Sequence, residues 1–424
     1  MQPELPNDRR RWHFTALLFL LVGVGVTPIA TATDFFDRTQ DALSFNDPQG
    51  RYHLQLSGLV DLETYLIDQP SPGLLFTDDE FLFSPRLRLF LDAQIGSKIY
   101  IFVQARADRG FDPSDKGAEV RLDEYFARYS FGTGPRVSLQ AGQFATVVGN
   151  WVLRHDSWQN PFITAPFPYE NLTGIWDIAA PRNARVLLNW GHVDGFDDRD
   201  YSDKILRLPI VWGPSYASGF MVSATVGRFD FAAELKNTSL SSRPETWPLT
   251  QTGFENPTYS GRVGFRPDER WNLGVSASAG PYYMPVAESS LPPARDLGDY
   301  REIVLAQDIS FAWHHLQLWA EFFEARFEVP RIGNADTFCY FLEGKYKITP
   351  QLFAALRWNH QLYGTIRNGN TRTHWGNDME RVDAAFGYRF TNYLQLKLQY
   401  SLSHREAEFQ EGEHLFGAQL TLKF

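Results

Sequence analysis

The chain has 424 residues, of which 43% are hydrophobic and 15% aromatic, and its formal net charge is −10. The acidity argues against nucleic acid as a partner, because nucleic-acid-binding chains present basic surfaces. A mean hydropathy of −0.32 is too low for a helical membrane protein, and the single cysteine, Cys339, excludes an intrachain disulfide and a cysteine-based metal site.

The N-terminus has the features of a secretory signal peptide. Three arginines, Arg9 to Arg11, precede an apolar run from Phe14 to Val26, and Ala30-Thr31-Ala32 forms a small-x-small cleavage site. We therefore predict a signal peptide over residues 1–32 and export from the cytoplasm. An uncleaved anchor is the alternative, although the apolar run is short for a membrane span. Residues 33–50 are predicted to be an N-terminal periplasmic segment, either a short helix or plug or a disordered leader.

From residue 51 onward, apolar and polar residues alternate with a period of two. Near the C-terminus, for example, Val382, Phe386 and Tyr388 alternate with Arg381 and Asp383. Successive side chains of a strand point to opposite faces of the sheet, so one face is apolar and the other polar. Aromatic residues flank the short turns throughout: Phe131, Phe229, Trp271, Trp313, Tyr346, Phe390 and Tyr393. This pattern is typical of an outer-membrane β-barrel with lipid outside and water within.

The alternation predicts an all-β, transmembrane antiparallel barrel over residues 51–424. Sixteen strands are expected: 51–65, 83–95, 98–107, 120–131, 136–144, 218–226, 229–237, 257–266, 271–279, 300–312, 316–326, 336–346, 351–361, 379–390, 393–403 and 414–424. Residues 185–190 and 205–212 are also strand-like and would raise the number to eighteen. Short and long connections alternate, so the short turns are assigned to the periplasm and the longer loops, among them 328–335, to the outside.

Residues 145–217 interrupt the regular strand pattern. Loops of this length in a compact domain are usually functional or disordered. The segment contains too many aromatic residues for a solvated tail, including Trp151, Trp158, Phe162 and Trp176. We predict that it folds into the lumen as a constriction loop; the sequence leaves open whether it narrows the pore or plugs it.

The residues that lead into this loop resemble a known family. Leu139 to Phe144 ends in Gly142-Gln143-Phe144 and is followed by Val148-Gly149. This is similar to the phosphate-selective porin O and P family, in which a strand ending in Gly-x-Phe runs into the constriction loop. The resemblance implies a sixteen-stranded barrel, a porin role and a trimer. It does not extend to phosphate selectivity, because residues 145–171 contain no lysine and only one arginine, Arg154.

Charged residues on the inward face are the candidates for the pore lining. We predict eleven residues at the pore or its constriction: Arg86, Arg88, Arg106, Arg128, Arg154, His155, Asp156, Arg357, Arg381, Arg389 and Lys397. About as many carboxylates share this face: Asp61, Glu63, Asp92, Glu124, Glu321, Glu343 and Asp383. Opposite charges across a pore act on passing ions. The alternative is that these charges pair across strands and only keep the lumen wet.

Arg154-His155-Asp156 also permits a catalytic interpretation, but neighbouring residues in an extended loop point apart and no nucleophile motif accompanies them. No cofactor or metal signature is recognised; Asp194 to Asp200 is interpreted as a solvated acidic turn.

The expected function is therefore an outer-membrane porin for small hydrophilic solutes or ions, without enzymatic activity. The alternatives are a plugged receptor or structural barrel and an outer-membrane hydrolase. The expected partners are membrane lipid, the solutes, the barrel-assembly machinery acting on the strand that ends in Phe424, and further copies in a homotrimer.

Overall fold

The computed structural model describes residues 29–109, 119–132, 136–191, 204–243, 253–406 and 412–424. Before the barrel come helix α1 (Ile29–Ala42) and the short strand β1 (Ser44–Asn46). Sixteen strands then form the barrel wall: β2 (Tyr52–Ile67), β3 (Phe81–Ile95), β4 (Ile99–Asp108), β5 (Glu119–Phe131), β6 (Arg136–Phe144), β7 (Ala217–Val226), β8 (Phe229–Lys236), β9 (Thr258–Phe265), β10 (Trp271–Pro281), β11 (Arg301–Trp313), β12 (Leu316–Val329), β13 (Gly333–Lys347), β14 (Leu352–Tyr363), β17 (Met379–Arg389), β18 (Leu394–Arg405) and β19 (Glu413–Lys423).

Each wall strand is antiparallel to its neighbours, and β19 pairs with β2 from Leu415↔Ile67 to Lys423↔Leu59, which closes the barrel. Closure removes the sheet edges that lipid cannot satisfy by hydrogen bonding. The predicted sixteen-stranded barrel is confirmed. Neither additional strand-like segment joins the wall, since residues 185–190 lie in a helix and residues 205–212 contribute only an isolated bridge from Arg207 to Trp176.

The two faces of the wall differ as the alternation predicts. On β17, Val382 and Phe386 are 49% and 57% exposed on the outside, whereas Arg381 and Asp383 are buried inside. Exposed apolar side chains surround the barrel, and such a surface is stable only against lipid. The fold and this belt place the protein in the outer membrane. No helix of the described residues is long and apolar enough to cross a bilayer.

The connections alternate in length along most of the wall. Short turns such as 227–228 and 314–315 lie at one end, and the longer loops lie at the other. The prediction of a long connection over 328–335 is wrong, because β12 and β13 continue pairing as far as Val329↔Gly333 and leave only residues 330–332 between them. The loop between β14 and β17 carries a hairpin of its own, β15 (Thr365–Asn368) and β16 (Thr371–His374).

The segment before the barrel covers a strand edge at the closing seam. Strand β19 pairs with β2 only as far as Leu59, so the first residues of β2 extend beyond it. Strand β1 pairs with residues 53–55 of this extension, and Phe36 of α1 stacks on Tyr393 with ring centroids 5.2 Å apart. Of the predicted signal peptide, residues 1–28 lie outside the described residues and residues 29–32 belong to α1.

An apolar cluster lies at the long-loop end. It joins Trp212 and Leu187 of the excursion with Tyr282 and Trp375 of two other loops, and it rests on Phe327 of β12. Apolar burial therefore holds several outer loops together over part of the barrel mouth.

Candidate functional site

The excursion between β6 and β7 lies inside the barrel. Its backbone forms a 3-10 turn at Trp151–Arg154, then helix α2 (Phe167–Glu170) and helix α3 (Ala184–Gly191). At the start of the excursion, the side-chain amide of Asn150 donates to Ser310 of β11 at 2.7 Å. The excursion is thus bound to the inner wall.

Carboxylates of β12 and β13 hold the first part of this loop. Glu321 accepts the backbone N–H of Trp151 at 2.6 Å and the hydroxyl of Tyr169 at 2.5 Å. Arg154 pairs with Glu343, and its guanidinium stacks over the Trp319 ring at 4.3 Å. Arg154 is therefore buried as an anchor of the loop.

Gly149 permits this arrangement. Its φ of +77° lies in the left-handed region, which favours glycine. A Cβ there would stand 2.0 Å from the Tyr169 hydroxyl and 2.6 Å from a carboxylate oxygen of Glu321. In the Val148-Gly149 pair noted in the sequence, glycine is thus needed at position 149, because the chain turns tightly against the hydrogen bond between Tyr169 and Glu321.

We expect Gly149→Ala to lower the free energy of unfolding by about 2 kcal/mol, because it adds a clash to an unfavourable backbone conformation. Gly96→Ala is the matched control, since Gly96 has φ +57° but nothing within 4 Å of the added Cβ; its cost should be about 1 kcal/mol. Denaturant unfolding of the folded barrel measures both. Equal losses in the two variants would show that the close approach at Gly149 is unimportant.

Cations of the wall strands next to β13 hold the middle of the loop by its backbone carbonyls. Four side chains from β14, β17 and β18 do so: Arg357, Arg381, Arg389 and Lys397. The ammonium of Lys397 donates to the carbonyls of Ser157, Asn160 and Phe162 at 2.8, 3.0 and 3.0 Å. The Lys397 ammonium can be buried here because three backbone carbonyls accept hydrogen bonds from its N–H groups.

Arg381 has the densest contacts of this group. Its guanidinium binds Glu170 at 2.5 Å, Asp383 at 3.0 Å and the carbonyl of Ala165 at 2.7 Å. Neighbouring Arg357 also binds Asp383, at 2.8 Å. The four cations, together called the loop clamp, fix the excursion against β14 to β18.

A cavity of about 200 Å³ remains on the other side of the loop. Its lining includes Arg86, Arg88 and Arg106 from the wall and His155 and Tyr216 from the excursion. Because this space lies between the loop and strands β3 to β5, bordered by the contact of Arg88 with Asp156, we name it the constriction cavity. A second cavity of about 1010 Å³ lies at the short-turn end.

Every arginine of the constriction cavity is paired with carboxylates. Arg86 binds Asp61 and Glu63, and Arg88 binds Asp156. Together with the adjacent Arg121, four guanidinium groups pair with six carboxylates, a net charge of −2. The groups are Arg86, Arg88, Arg106, Arg121, Asp61, Glu63, Asp108, Glu119, Asp123 and Asp156. The field in this cavity is therefore that of close ion pairs.

The structure divides the eleven predicted residues into three groups. Five line or border the constriction cavity: Arg86, Arg88, Arg106, His155 and Asp156. Five anchor the loop to the wall: Arg154, Arg357, Arg381, Arg389 and Lys397. The eleventh, Arg128, binds Gln140 at 2.9 Å and lies over the Phe126 ring.

Asp123 is a cavity residue that the alternation missed. The register of β4 and β5 shifts between Gln104 and Ala105, so Gln104 pairs with Glu124 and Ala105 with Leu122. A bulge places an extra residue on one strand and breaks the strict period of two. The sequence predicted that Glu124 faces the lumen. Because of the bulge, Asp123 faces the lumen as well, next to Glu124.

His155 has the contacts of a neutral structural histidine. Its Nδ1 donates to the Val152 carbonyl at 2.6 Å, which leaves Nε2 to accept the Tyr216 hydroxyl at 3.0 Å. Burial lowers the pKa of His155. Burial opposes ionisation of Asp156, but the Arg88 guanidinium holds the pKa of Asp156 below its ordinary value. Arg88 also donates to the Ser157 hydroxyl at 2.9 Å, so these neighbours do not form a hydrolytic triad.

Because the pKa of His155 is lowered on folding, the unfolded chain binds more protons below pH 6.5 and stability falls as the pH decreases. We expect wild type to lose more stability than His155→Gln between pH 7.5 and 5.5, by at most about 1.4 kcal/mol for each pH unit. Unfolding curves at the two pH values measure this difference. His314→Gln, in an exposed turn, is the control; a loss in His155→Gln as large as in wild type would contradict the prediction.

Solved structures with this architecture are outer-membrane proteins. The outer-membrane channel DcaP of Acinetobacter baumannii matches with a TM-score of 0.57 and 12% identity, over 90% of this chain and 99% of that one. The anion-selective porin from Comamonas acidovorans matches with 0.53 and 10%, over 88% and 100%. The trimer form of OmpT of Vibrio cholerae matches with 0.54 and 8%, over 88% and 99%. These similarities show a shared porin-type fold.

Comparison with protein-family models finds no match, and comparison with curated proteins finds none either. The chain is thus an outer-membrane barrel with the sixteen-stranded architecture of porins. Its membership of the phosphate-selective porin O and P family is not shown.

Proposed function

We propose that this protein is a porin that lets small hydrophilic solutes and ions diffuse across the outer membrane through the constriction cavity. One observation carries the proposal. The loop clamp holds the excursion against β14 to β18 and leaves the opposite wall, with Arg86 and Arg106, partly exposed to the lumen at about 20% each. A polar gap beside a tethered loop is the arrangement expected of a constricted water-filled pore.

The same proposal includes the partners that a porin needs. Lipid contacts the apolar belt, the barrel-assembly machinery acts through the C-terminal strand ending in Phe424, and a homotrimer is the assembly we expect. The Phe424 backbone pairs with Gly58 at 3.0 and 3.1 Å, so the last residue completes the closing seam. The motif at Gly142 supports a relation to the phosphate-selective porin O and P family, whereas the paired arginines favour weak ion selectivity instead of phosphate selectivity.

A passive role is also favoured over catalysis. The ring nitrogens of His155 are bound to Val152 and Tyr216, and the Ser157 hydroxyl is bound to Arg88. A catalytic base needs its nucleophile within hydrogen-bond reach.

Planar-bilayer recording of the purified, folded protein tests the proposal. Stable ohmic current steps at both polarities are expected. Correctly folded protein that inserts into the bilayer without producing steps would reject the porin.

A plugged receptor or structural barrel is the second candidate. It is favoured by the apolar cluster of Trp212, Tyr282 and Trp375 at the long-loop end, which covers part of the mouth. This candidate predicts insertion without conduction, so the same recording separates the two functions.

A further inference from the structure

The segment before the barrel continues the wall at the short-turn end. Strand β1 pairs with β2 in the register Phe45↔Leu54 and Asn46↔His53. Directly paired residues of antiparallel strands point to the same face of the sheet. Phe45 is 57% exposed beside the lipid-facing Leu54, and the side chain of Asn46 contacts the His53 ring on the other face. Strand β1 is therefore part of the wall, and α1, which directly precedes it, lies at the rim of the barrel.

Helix α1 contacts the inner face of this rim, at Tyr393. Gln395 of β18 and Thr421 of β19 are 1% and 0% exposed and belong to the inner face. Tyr393 and Lys423 each lie two residues further toward the short-turn end, and the Lys423 N–H donates to the Tyr393 carbonyl at 2.7 Å. The period of two therefore places both side chains inside. The Lys423 ammonium accordingly lies 5.8 Å from the ring centroid of Trp158 in the excursion.

Three side chains of α1 hold Tyr393. The Phe36 ring stacks on the tyrosine ring with centroids 5.2 Å apart. The tyrosine hydroxyl donates to the Asp37 carboxylate and lies 3.4 Å from the side-chain oxygen of Gln40. All three residues follow the predicted cleavage site after Ala32, so the mature chain keeps this contact. Helix α1 is thus fixed at the inner edge of the opening at the short-turn end, here called the short-turn mouth.

The docked helix carries uncompensated negative charge. Asp37 and Asp41 are both exposed, and they share one side of the helix because they are four positions apart. Within the ranges that the structure describes, neither forms an ion pair, and Lys423 directs its ammonium at the excursion instead. Three aspartates and Arg38 give the sequence of α1 a formal charge of −2. The charges of the constriction cavity are paired, whereas these two carboxylates are free to act on passing ions.

Helix α1 and the largest space at this end share one opening. The cavity of about 1010 Å³ is bordered by strands β7 to β12, whereas α1 docks at β18 and β19. In the ring of sixteen strands, β8 lies half a turn from β18. The helix and the cavity therefore occupy opposite sides of the short-turn mouth. A fixed charge acts across such an opening in dilute salt, since the Debye length is about 30 Å at 0.01 M.

We propose that α1 forms part of the pore lining at the short-turn mouth, where it occupies part of the opening and its residues Asp37 and Asp41 attract cations. The inference rests on the proposed porin function, because it names residues that determine which ions cross the pore. The contact with Tyr393 keeps these carboxylates at the mouth.

The reversal potential of Asp37→Asn/Asp41→Asn in a gradient of dilute potassium chloride, at about 0.01 M on the lower side, tests the charges. We expect the cation-to-anion permeability ratio to fall about two-fold from its wild-type value, because two negative charges leave the mouth. Asparagine keeps the side-chain size and can still accept the Tyr393 hydroxyl, so α1 stays docked. Glu324→Gln/Glu380→Gln is the matched control: it removes two exposed carboxylates from the outer face of the wall and should leave the ratio unchanged.

Phe36→Ala tests the docking of α1 without altering the barrel wall. Loss of the ring that stacks on Tyr393 should release the helix, so single-channel conductance should rise and the permeability ratio should fall as in the double variant. Phe35→Ala is its control, because the Phe35 ring is 63% exposed; its conductance should equal that of wild type.

A wild-type permeability ratio in Asp37→Asn/Asp41→Asn, or an equal change in the outer-face control, would overturn the inference. Unchanged conductance in Phe36→Ala would also overturn it, since α1 would then not occupy the opening. The same recordings keep the two proposals apart: ohmic steps with an unchanged ratio reject the role of α1 alone, whereas silence from inserted wild-type protein rejects the porin and this inference with it.

Discussion

Replacing Arg381 by methionine should lower the free energy of unfolding by about 3–5 kcal/mol. The side chain is buried and neutralises Glu170 on the loop and Asp383 on the wall. Methionine fills much of the volume but leaves both carboxylates with less compensation in an interior where charges are costly. The bond to the Ala165 carbonyl is lost too. The loop should then separate from the wall, and the pore current should become noisier.

Denaturant unfolding followed by tryptophan fluorescence measures the loss. Arg326→Met is the control, because Arg326 pairs with Asp336 across two neighbouring strands, at 2.7 Å, but both side chains are about half exposed. Exposed pairs contribute about 0–1 kcal/mol. If the two variants lose the same stability, the loop clamp is not what holds the excursion.

Replacing Arg86 by glutamate should make the channel clearly cation-selective. The guanidinium is 22% exposed in the lumen beside Asp61 and Glu63, so the substitution changes the local net charge from −1 to −3. In water, one charge acting over about 8 Å contributes roughly 0.5 kcal/mol. Two charges therefore stabilise a cation and destabilise an anion by about 1 kcal/mol each, so the cation-to-anion permeability ratio should rise by up to roughly 30-fold at low salt, since 1.4 kcal/mol is a factor of ten.

The reversal potential in a gradient of potassium chloride reads this ratio directly. The effect should shrink as the mean salt concentration rises, because mobile ions screen the added charge. Arg326→Glu makes the same change of charge on the outer face of the wall and should leave the reversal potential unchanged. A wild-type value for Arg86→Glu would remove Arg86 from the conduction path.

The barrel wall was predictable from the alternation of apolar and polar residues, because every strand has lipid on one face and the polar lumen on the other. Strand β6 was predicted at 136–144, where it is found. The observed strands differ from the predicted ones where pairing with a neighbouring strand, and not the strand's own alternation, sets the strand end or the register. Strands β12 and β13 extend to Val329 and Gly333 by pairing with each other, and the bulge beside Asp123 comes from a register shift between two strands.

The candidate site was predictable only in its residue types. Inward arginines and the aromatic loop both follow from the sequence, but their partners are far apart along the chain. Arg357 and Thr164, for instance, are separated by 193 positions. The alternation of apolar and polar residues does not indicate which part of the wall a loop contacts. From the sequence alone, Lys397 could equally have faced water in the lumen.

The sequence by itself determined the closed barrel, its lipid-facing belt and its polar lumen, because a period of two assigns each side chain to lipid or water through local geometry alone. Only the tertiary structure decided which charges remain near the lumen and which hold the loop. That choice depends on the path of an aperiodic segment whose backbone carbonyls take Lys397 and Arg381 as partners. Such long-range hydrogen bonding is an energetic outcome of the whole fold.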